Sequence, residues 1–142
     1  MEKLKVLICD DSATVRKRLI TMALDVPEVD VVGQADDAPA SMDAIRRTLP
    51  DVVILDIRMP GGSGIDVLRQ LKKAKPAPIV IMLTNFANEQ YRKACEEAGA
   101  TLFLDKSTEF DQIPLALENV LQGVRADRAQ QQEQEQVRQG KE

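Results

Sequence analysis

Five short runs of apolar residues punctuate the chain, and each is followed by a stretch in which apolar positions recur every three or four residues. The runs are LKVLIC (4–9), VDVVGQA (29–35), DVVILD (51–56), PIVIML (78–83) and ATLFL (100–104). Runs this short, continuous and rich in β-branched residues predict strands covered on both faces. Between them the spacing predicts helices. Ser12 can cap one over residues 13–25, on which Val15, Leu19, Met22 and Ala23 share a face. Segments 38–48 and 65–74 read the same way, and 88–98 closes on Gly99, a favourable residue just past a helix end. The last helix begins near Glu109 and carries Ile113, Leu117, Val120, Leu121 and Val124 on one stripe.

Five strands alternating with five helices make an α/β chain of (βα)5 type, for which a doubly wound parallel sheet covered by helices is the expected solution. A site in such a fold lies at the carboxyl ends of the strands. The apolar stripe stops at Val124, so residues 1–124 read as one domain. Residues 125–142 read as a Gln-rich polar tail, either extending the last helix or disordered, with a frayed, solvated extension favoured. Apolar a and d positions, which a coiled coil needs, are missing there.

Composition narrows the chemistry. The 142 residues include no His, which removes Ser-His-Asp and Cys-His hydrolases and leaves carboxylates, hydroxyls and lysines. A net charge of −4 and an aromatic content of 3% argue against direct nucleic-acid binding, which draws on clustered cations or stacking rings. Cys9 and Cys95 fit no zinc spacing and read as small core residues. No run approaches the ~20 apolar residues of a membrane span, and MEKLKVLICD lacks a signal peptide's apolar segment, so the expectation is a cytoplasmic protein off the membrane.

The polar residues at the strand ends carry the argument further. Asp10 and Asp11 end the first predicted strand, Asp56 the third and Thr84 the fourth, while Lys106 lies just beyond the fifth. A parallel sheet brings all five to one edge. Two unit charges ~4 Å apart repel by ~4 kcal/mol at an effective dielectric of about 20, and one lysine does not balance three acids. Either a carboxylate takes a proton or a cation binds; oxygen ligands with few protein donors suit Mg²⁺, which phosphate oxygens would complete. An aspartate screened in this way is a competent nucleophile toward phosphorus, and a threonine hydroxyl beside it can bond a phosphoryl oxygen only after transfer. MPGGSG (59–64) adds a turn-forming loop in which Gly61, Gly62 and Gly64 permit positive φ.

With ICDDS, ILDIRMPGGSG, IMLTN and AGATLFLDKS in order, the chain resembles the response-regulator receiver domain of two-component signalling over about residues 3–124, of the chemotaxis-regulator-like, stand-alone kind. The resemblance implies a flavodoxin-like sheet of order 2-1-3-4-5. It implies that Asp56 is the phosphoacceptor, that Asp10, Asp11 and Asp56 hold Mg²⁺ with the backbone carbonyl of Arg58, and that Thr84, Phe103 and Lys106 are the switch pair and the phosphoryl-binding lysine. A sensor histidine kinase or histidine phosphotransfer protein would be the donor. An output protein would meet the face made by NEQYRKACEEAG (88–99), which includes Tyr91, with the fifth strand and last helix. That face could equally be a plain solvated helix.

Two departures from the family pattern stand out. Ser107 follows Lys106 where the family usually has a proline in a cis peptide, which leaves that loop's geometry open. Arg58 and Phe86, two residues beyond Asp56 and Thr84, lie at positions that tune phosphoryl lifetime, and neither readily aligns an attacking water; the expectation is a long-lived phosphoaspartate. The competing readings are a phosphorelay intermediate or phosphate sink, and the receiver part of a longer DNA-binding regulator. A haloacid-dehalogenase-type phosphatase ranks far lower, because neither DDS nor DIR supplies its Asp-x-Asp.

Overall fold

The computed structural model describes residues 2–140. Strands β1 (Leu4–Cys9), β2 (Val29–Ala35), β3 (Val52–Leu55), β4 (Ile79–Thr84) and β5 (Leu102–Asp105) alternate with helices α1 (Ala13–Leu24), α2 (Ala38–Thr48), α3 (Gly64–Leu71), α4 (Glu89–Glu97) and α5 (Ile113–Gly140). The strands form one parallel sheet of order β2-β1-β3-β4-β5, the flavodoxin-like topology expected.

The apolar runs are continuous because alternate residues serve opposite faces of the sheet. On one face Val52 and Ile54 join Leu19 and Ala23 of α1 and Ile113, Leu117 and Leu121 of α5. On the other, Val53 and Leu55 pack with Ala44 of α2, Leu68 and Leu71 of α3 and Cys95 of α4. Burying each such Leu, Ile or Val contributes ~1.5–3 kcal/mol, so both faces must be covered for the sheet to persist. Cys9 and Cys95 are both free and buried in the second cluster.

Ser12 caps α1 as expected, and Asp37 and Asn88 cap α2 and α4 in the same way. Ser12 Oγ accepts from the Val15 N–H at 3.3 Å, Asp37 Oδ1 from Ala40 at 2.6 Å, and Asn88 Oδ1 from Tyr91 at 2.8 Å. Gly99 adopts φ +100° after α4. Three local expectations are corrected. Helix α3 stops at Leu71 rather than 74, because the Lys73 and Ala74 amides bond three residues back and Pro76 disfavours helical geometry at Lys75. Residues 110–112 form a 3₁₀ turn ahead of α5.

The third correction concerns MPGGSG. Part of it is a two-stranded antiparallel ladder, Arg58–Met59 against Gly62–Ser63, turned by Pro60 and by Gly61 at φ +80°. Gly64 does not have positive φ. It is glycine because the chain re-enters the loop there: its N–H donates to the Ile57 carbonyl at 2.6 Å, and a Cβ would overlap the Asp56 carbonyl oxygen. Helix α3 thus begins directly against the backbone of Asp56.

Beyond Val124, α5 continues as helix through the polar segment to Gly140. Arg125 pairs with Glu28 and Arg128 with Glu2, fastening the start of this extension to the amino-terminal edge of the sheet.

The overlap at Gly64 makes a direct prediction. Gly64→Ala should lower the free energy of unfolding in urea by about 2 kcal/mol or more. Gly123→Ala, in the middle of α5 where an added Cβ meets nothing, should raise it by roughly 0.5–1 kcal/mol. Equal effects at the two positions would contradict the close approach at Asp56.

Candidate functional site: an acidic cluster at the strand ends

Four of the five strands deliver the residues of one cluster. Asp10 and Asp11 lie just past β1, whose last ladder contacts run on through Asp10 N–H to the Ala35 carbonyl at 3.0 Å. Asp56 follows β3, its N–H donating to the Cys9 carbonyl at 3.1 Å. Thr84 is the last residue of β4, and Lys106 follows β5 with its N–H on the Thr84 carbonyl at 2.9 Å. These bonds continue the sheet into the loops and hold the side chains in register.

Asp10, Asp11 and Asp56 each place a carboxylate oxygen within 4.8 Å of the others. Asp10 and Asp56 are buried and Asp11 is exposed. The Lys106 ammonium lies between the two buried acids, donating to Asp10 Oδ2 at 2.5 Å and Asp56 Oδ2 at 2.8 Å. Asp10 Oδ1 accepts from the Ser12 N–H at 2.9 Å, and Asp56 Oδ1 from the Ile57 N–H at 2.7 Å. The buried acids are therefore hydrogen-bonded but share a single cation.

Titration behaviour follows from that sharing. Burial pushes the Asp10 carboxyl above the ordinary aspartate value, against the opposing hydrogen bonds from Lys106 and Ser12. Burial alone would lower Lys106, but the hydrogen bonds and charges of Asp10 and Asp56 outweigh it and the net shift is upward. The ammonium is thus secure, but the buried Asp10 and Asp56 share it, and the exposed Asp11 adds a third carboxylate, which leaves a deficit of positive charge.

That deficit suits a divalent cation. Carboxylates that converge from two loops, one of them open to solvent, match the oxygen donors that Mg²⁺ takes while retaining waters. The Arg58 backbone carbonyl, expected from the resemblance to add a ligand, belongs to the short ladder just past Asp56.

The remaining predicted residues surround the cluster. Thr84 is fully buried and its hydroxyl accepts from the Phe86 N–H at 3.1 Å. Phe103 is buried within β5, with the Arg92 guanidinium 4.7 Å from its ring centroid and donating to its carbonyl at 3.4 Å. Tyr91 is half-buried against the second core cluster. Arg58 and Phe86 meet directly, the guanidinium 3.8 Å from the ring centroid, so the loops after β3 and β4 are bridged beside the site.

Sequence reasoning missed Arg16, which holds the Asp10 loop in place. Its Nη1 donates to the Asp10 carbonyl at 2.7 Å and its Nε to Gln34 Oε1 at 2.8 Å. The one available signal was an arginine a single turn into α1, and that is an ordinary surface feature. Missed too was Asp105, whose carboxylate accepts from the N–H and hydroxyl of Ser107 next to Lys106.

The upward shift at Asp10 has a definite sign. The folded chain binds that proton more tightly than the unfolded one, so ionising Asp10 costs stability as pH rises from the ordinary aspartate range through the raised value. Asp10→Asn should therefore stabilise the chain in EDTA at pH 7, read as a higher urea midpoint. It should also remove most of the stabilisation that millimolar Mg²⁺ gives the native chain. A less stable Asp10→Asn in EDTA would contradict the charge imbalance.

Comparison with known proteins agrees with this geometry. A family model described as "Response regulator receiver domain" matches residues 6–118. Over 80 residues the chain is 42% identical to a protein-glutamate methylesterase/protein-glutamine glutaminase of Rhizobium johnstonii, a match covering 56% of this chain and 23% of that protein. The chain therefore spans under a quarter of that relative. The signal receiver domain of the putative response regulator NarL from Mycobacterium tuberculosis superposes with a TM-score of 0.79 at 29% identity, covering 87% of this chain and 99% of that one. A chain of the CheX-CheY-BeF3-Mg complex from Borrelia burgdorferi does so with a TM-score of 0.73 at 26% identity, covering 87% and 90%. Among the described residues no helix is long and apolar enough to cross a membrane. By sequence, by topology and by the placement of its strand-end residues, this chain belongs to the response regulator receiver domain family of two-component signalling.

Proposed function

We propose that this receiver is phosphorylated on Asp56 by a sensor histidine kinase or histidine phosphotransfer protein, and that the modified site changes a surface read by an output protein. The observation that carries the reading is the Lys106 ammonium held between the buried Asp10 and Asp56 carboxylates beside the exposed Asp11. In the transfer, an Asp56 oxygen forms the new bond to phosphorus, the P–N bond to the donor histidine breaks, and its electron pair leaves with the imidazole. None of these 142 residues is His, so the donor phosphohistidine lies outside them.

Asp10, Asp11, Asp56 and the Arg58 carbonyl are the proposed Mg²⁺ ligands. When bound, the metal neutralises charge on the incoming phosphoryl oxygens. Lys106 is free to exchange a carboxylate partner for a phosphoryl oxygen at the same edge of the sheet. Thr84 has the matching role after transfer: its hydroxyl, which now accepts from the Phe86 N–H, can donate its own proton to the phosphoryl group.

Movement at Thr84 would then be felt along β4 and β5. Phe103 lies opposite Met82 in the β4–β5 pairing and is clasped by Arg92 of α4. The face formed by α4, β5 and α5 is therefore the proposed output surface. That a chain of the CheX-CheY-BeF3-Mg complex shares this fold supports the phosphoryl and partner parts of this reading.

Intact mass after incubation with acetyl phosphate and Mg²⁺ tests the proposal. The native chain should gain one phosphoryl group, and Asp56→Asn or a chelated sample should gain none. After removal of the donor, the label should persist for minutes, because the Arg58–Phe86 stack offers no carboxylate or amide to align water. A metal-independent gain, or a gain that survives in Asp56→Asn, would overturn the assignment; loss within seconds would overturn the lifetime.

A further inference from the structure

Lys106 is the cation that bonds both buried acids, yet it stands past the end of an edge strand on a loop with no neighbouring strand on its outer side. Lysine carries ~2 kcal/mol of side-chain rotational freedom. An ammonium with that freedom stays between two carboxylates only if the backbone beneath it is fixed. The single ladder bond from Lys106 N–H to the Thr84 carbonyl does not fix the turn that follows.

Asp105 and Ser107, the residues on either side of Lys106, supply the missing restraint. Asp105 Oδ1 accepts from the Ser107 N–H at 2.9 Å and from the Ser107 hydroxyl at 2.6 Å. Asp105 is itself held at both backbone groups by one residue: its N–H donates to Glu109 Oε1 at 3.1 Å, and its carbonyl accepts from the Glu109 N–H at 2.7 Å. The result is an Asx turn with Lys106 at its centre, closed on the far side by the start of the 3₁₀ segment. The Ser107 hydrogen bonds also hold the Asp105 carboxyl below the usual aspartate range.

We propose that Asp105 and Ser107 are positioning residues for Lys106: their mutual hydrogen bonds lock the turn from which its ammonium reaches Asp10 and Asp56. The inference rests on the phosphoacceptor reading for its kinetic consequence but not for its geometry. It also answers the question posed by Ser107: the Lys106–Ser107 peptide is trans, and the serine restrains the turn in that geometry through its N–H and hydroxyl. A proline at 107 could make neither bond to Asp105.

The test is the initial rate of phosphoryl uptake from acetyl phosphate with Mg²⁺ in native chain, Asp105→Ala, Lys106→Gln and the double variant. A misplaced Lys106 should slow uptake roughly tenfold in Asp105→Ala. The same substitution should have no further effect in the Lys106→Gln background, because the residue it positions is gone. Asp105→Asn, which keeps the accepting oxygen, should restore the rate and guards against a general loss of fold. An equal loss in both backgrounds, or no loss in either, would overturn the proposal. If the native chain takes no label, the phosphoacceptor reading fails alone, and a crystal structure of Asp105→Ala decides the positioning claim. Lys106 Nζ should leave Asp56 Oδ2 in that variant; its retention at 2.8 Å would refute the claim.

Discussion

Two buried carboxylates from different strands share one ammonium, and the arrangement of this end of the molecule depends on that imbalance. Bringing Asp10 and Asp56 together costs Coulomb and desolvation energy that Lys106 offsets only in part. A core packed on both faces of the sheet supplies the stability that lets the strand ends hold such a cluster. The same imbalance underlies the proposed chemistry: a cluster short of positive charge suits a divalent cation, and a carboxylate screened by such a cation and a lysine would be a competent nucleophile toward phosphorus.

The loops around the cluster share a method of restraint: each is tied by a contact that reaches outside itself. Arg16 joins the Asp10 carbonyl to Gln34 on β2, Gly64 brings α3 against the Asp56 backbone, and Arg58 leans on Phe86 from the next loop. The Lys106 turn is fastened by Asp105, Ser107 and Glu109. Rigid placement matters here because acid, base and metal ligands act on a phosphoryl group only when held within a fraction of an ångström. The proposed output face has a related link in Arg92, which touches Glu89 on its own helix and both the ring and carbonyl of Phe103 on β5.

The fold was legible because its signals are local and redundant. Val52 to Leu55 read as a strand buried twice, Ser12 announced the helix it caps, and Gly99 announced the end of α4. The site was legible for a topological reason: a parallel sheet places every strand's carboxyl end at one edge, so Asp10, Asp56, Thr84 and Lys106 had to meet. The contacts between loops were not legible. No periodicity links Arg58 to Phe86 or Arg16 to Gln34, and Gly64 read as a turn glycine because only the folded chain reveals the carbonyl it must clear. Ser107 was visible as a departure, but the hydrogen bonds that give it meaning depend on where Asp105 points after the strand ends.

The central claim is that the carboxylate shared with Lys106 becomes the acyl phosphate. The most direct measurement is borohydride reduction of the chain after exposure to acetyl phosphate and Mg²⁺, followed by peptide mass analysis. An acyl phosphate is reduced to the alcohol, so the account predicts homoserine at position 56 and nowhere else. Homoserine at Asp10 or Asp11, or none at any aspartate of a chain that has gained a phosphoryl group, would contradict it.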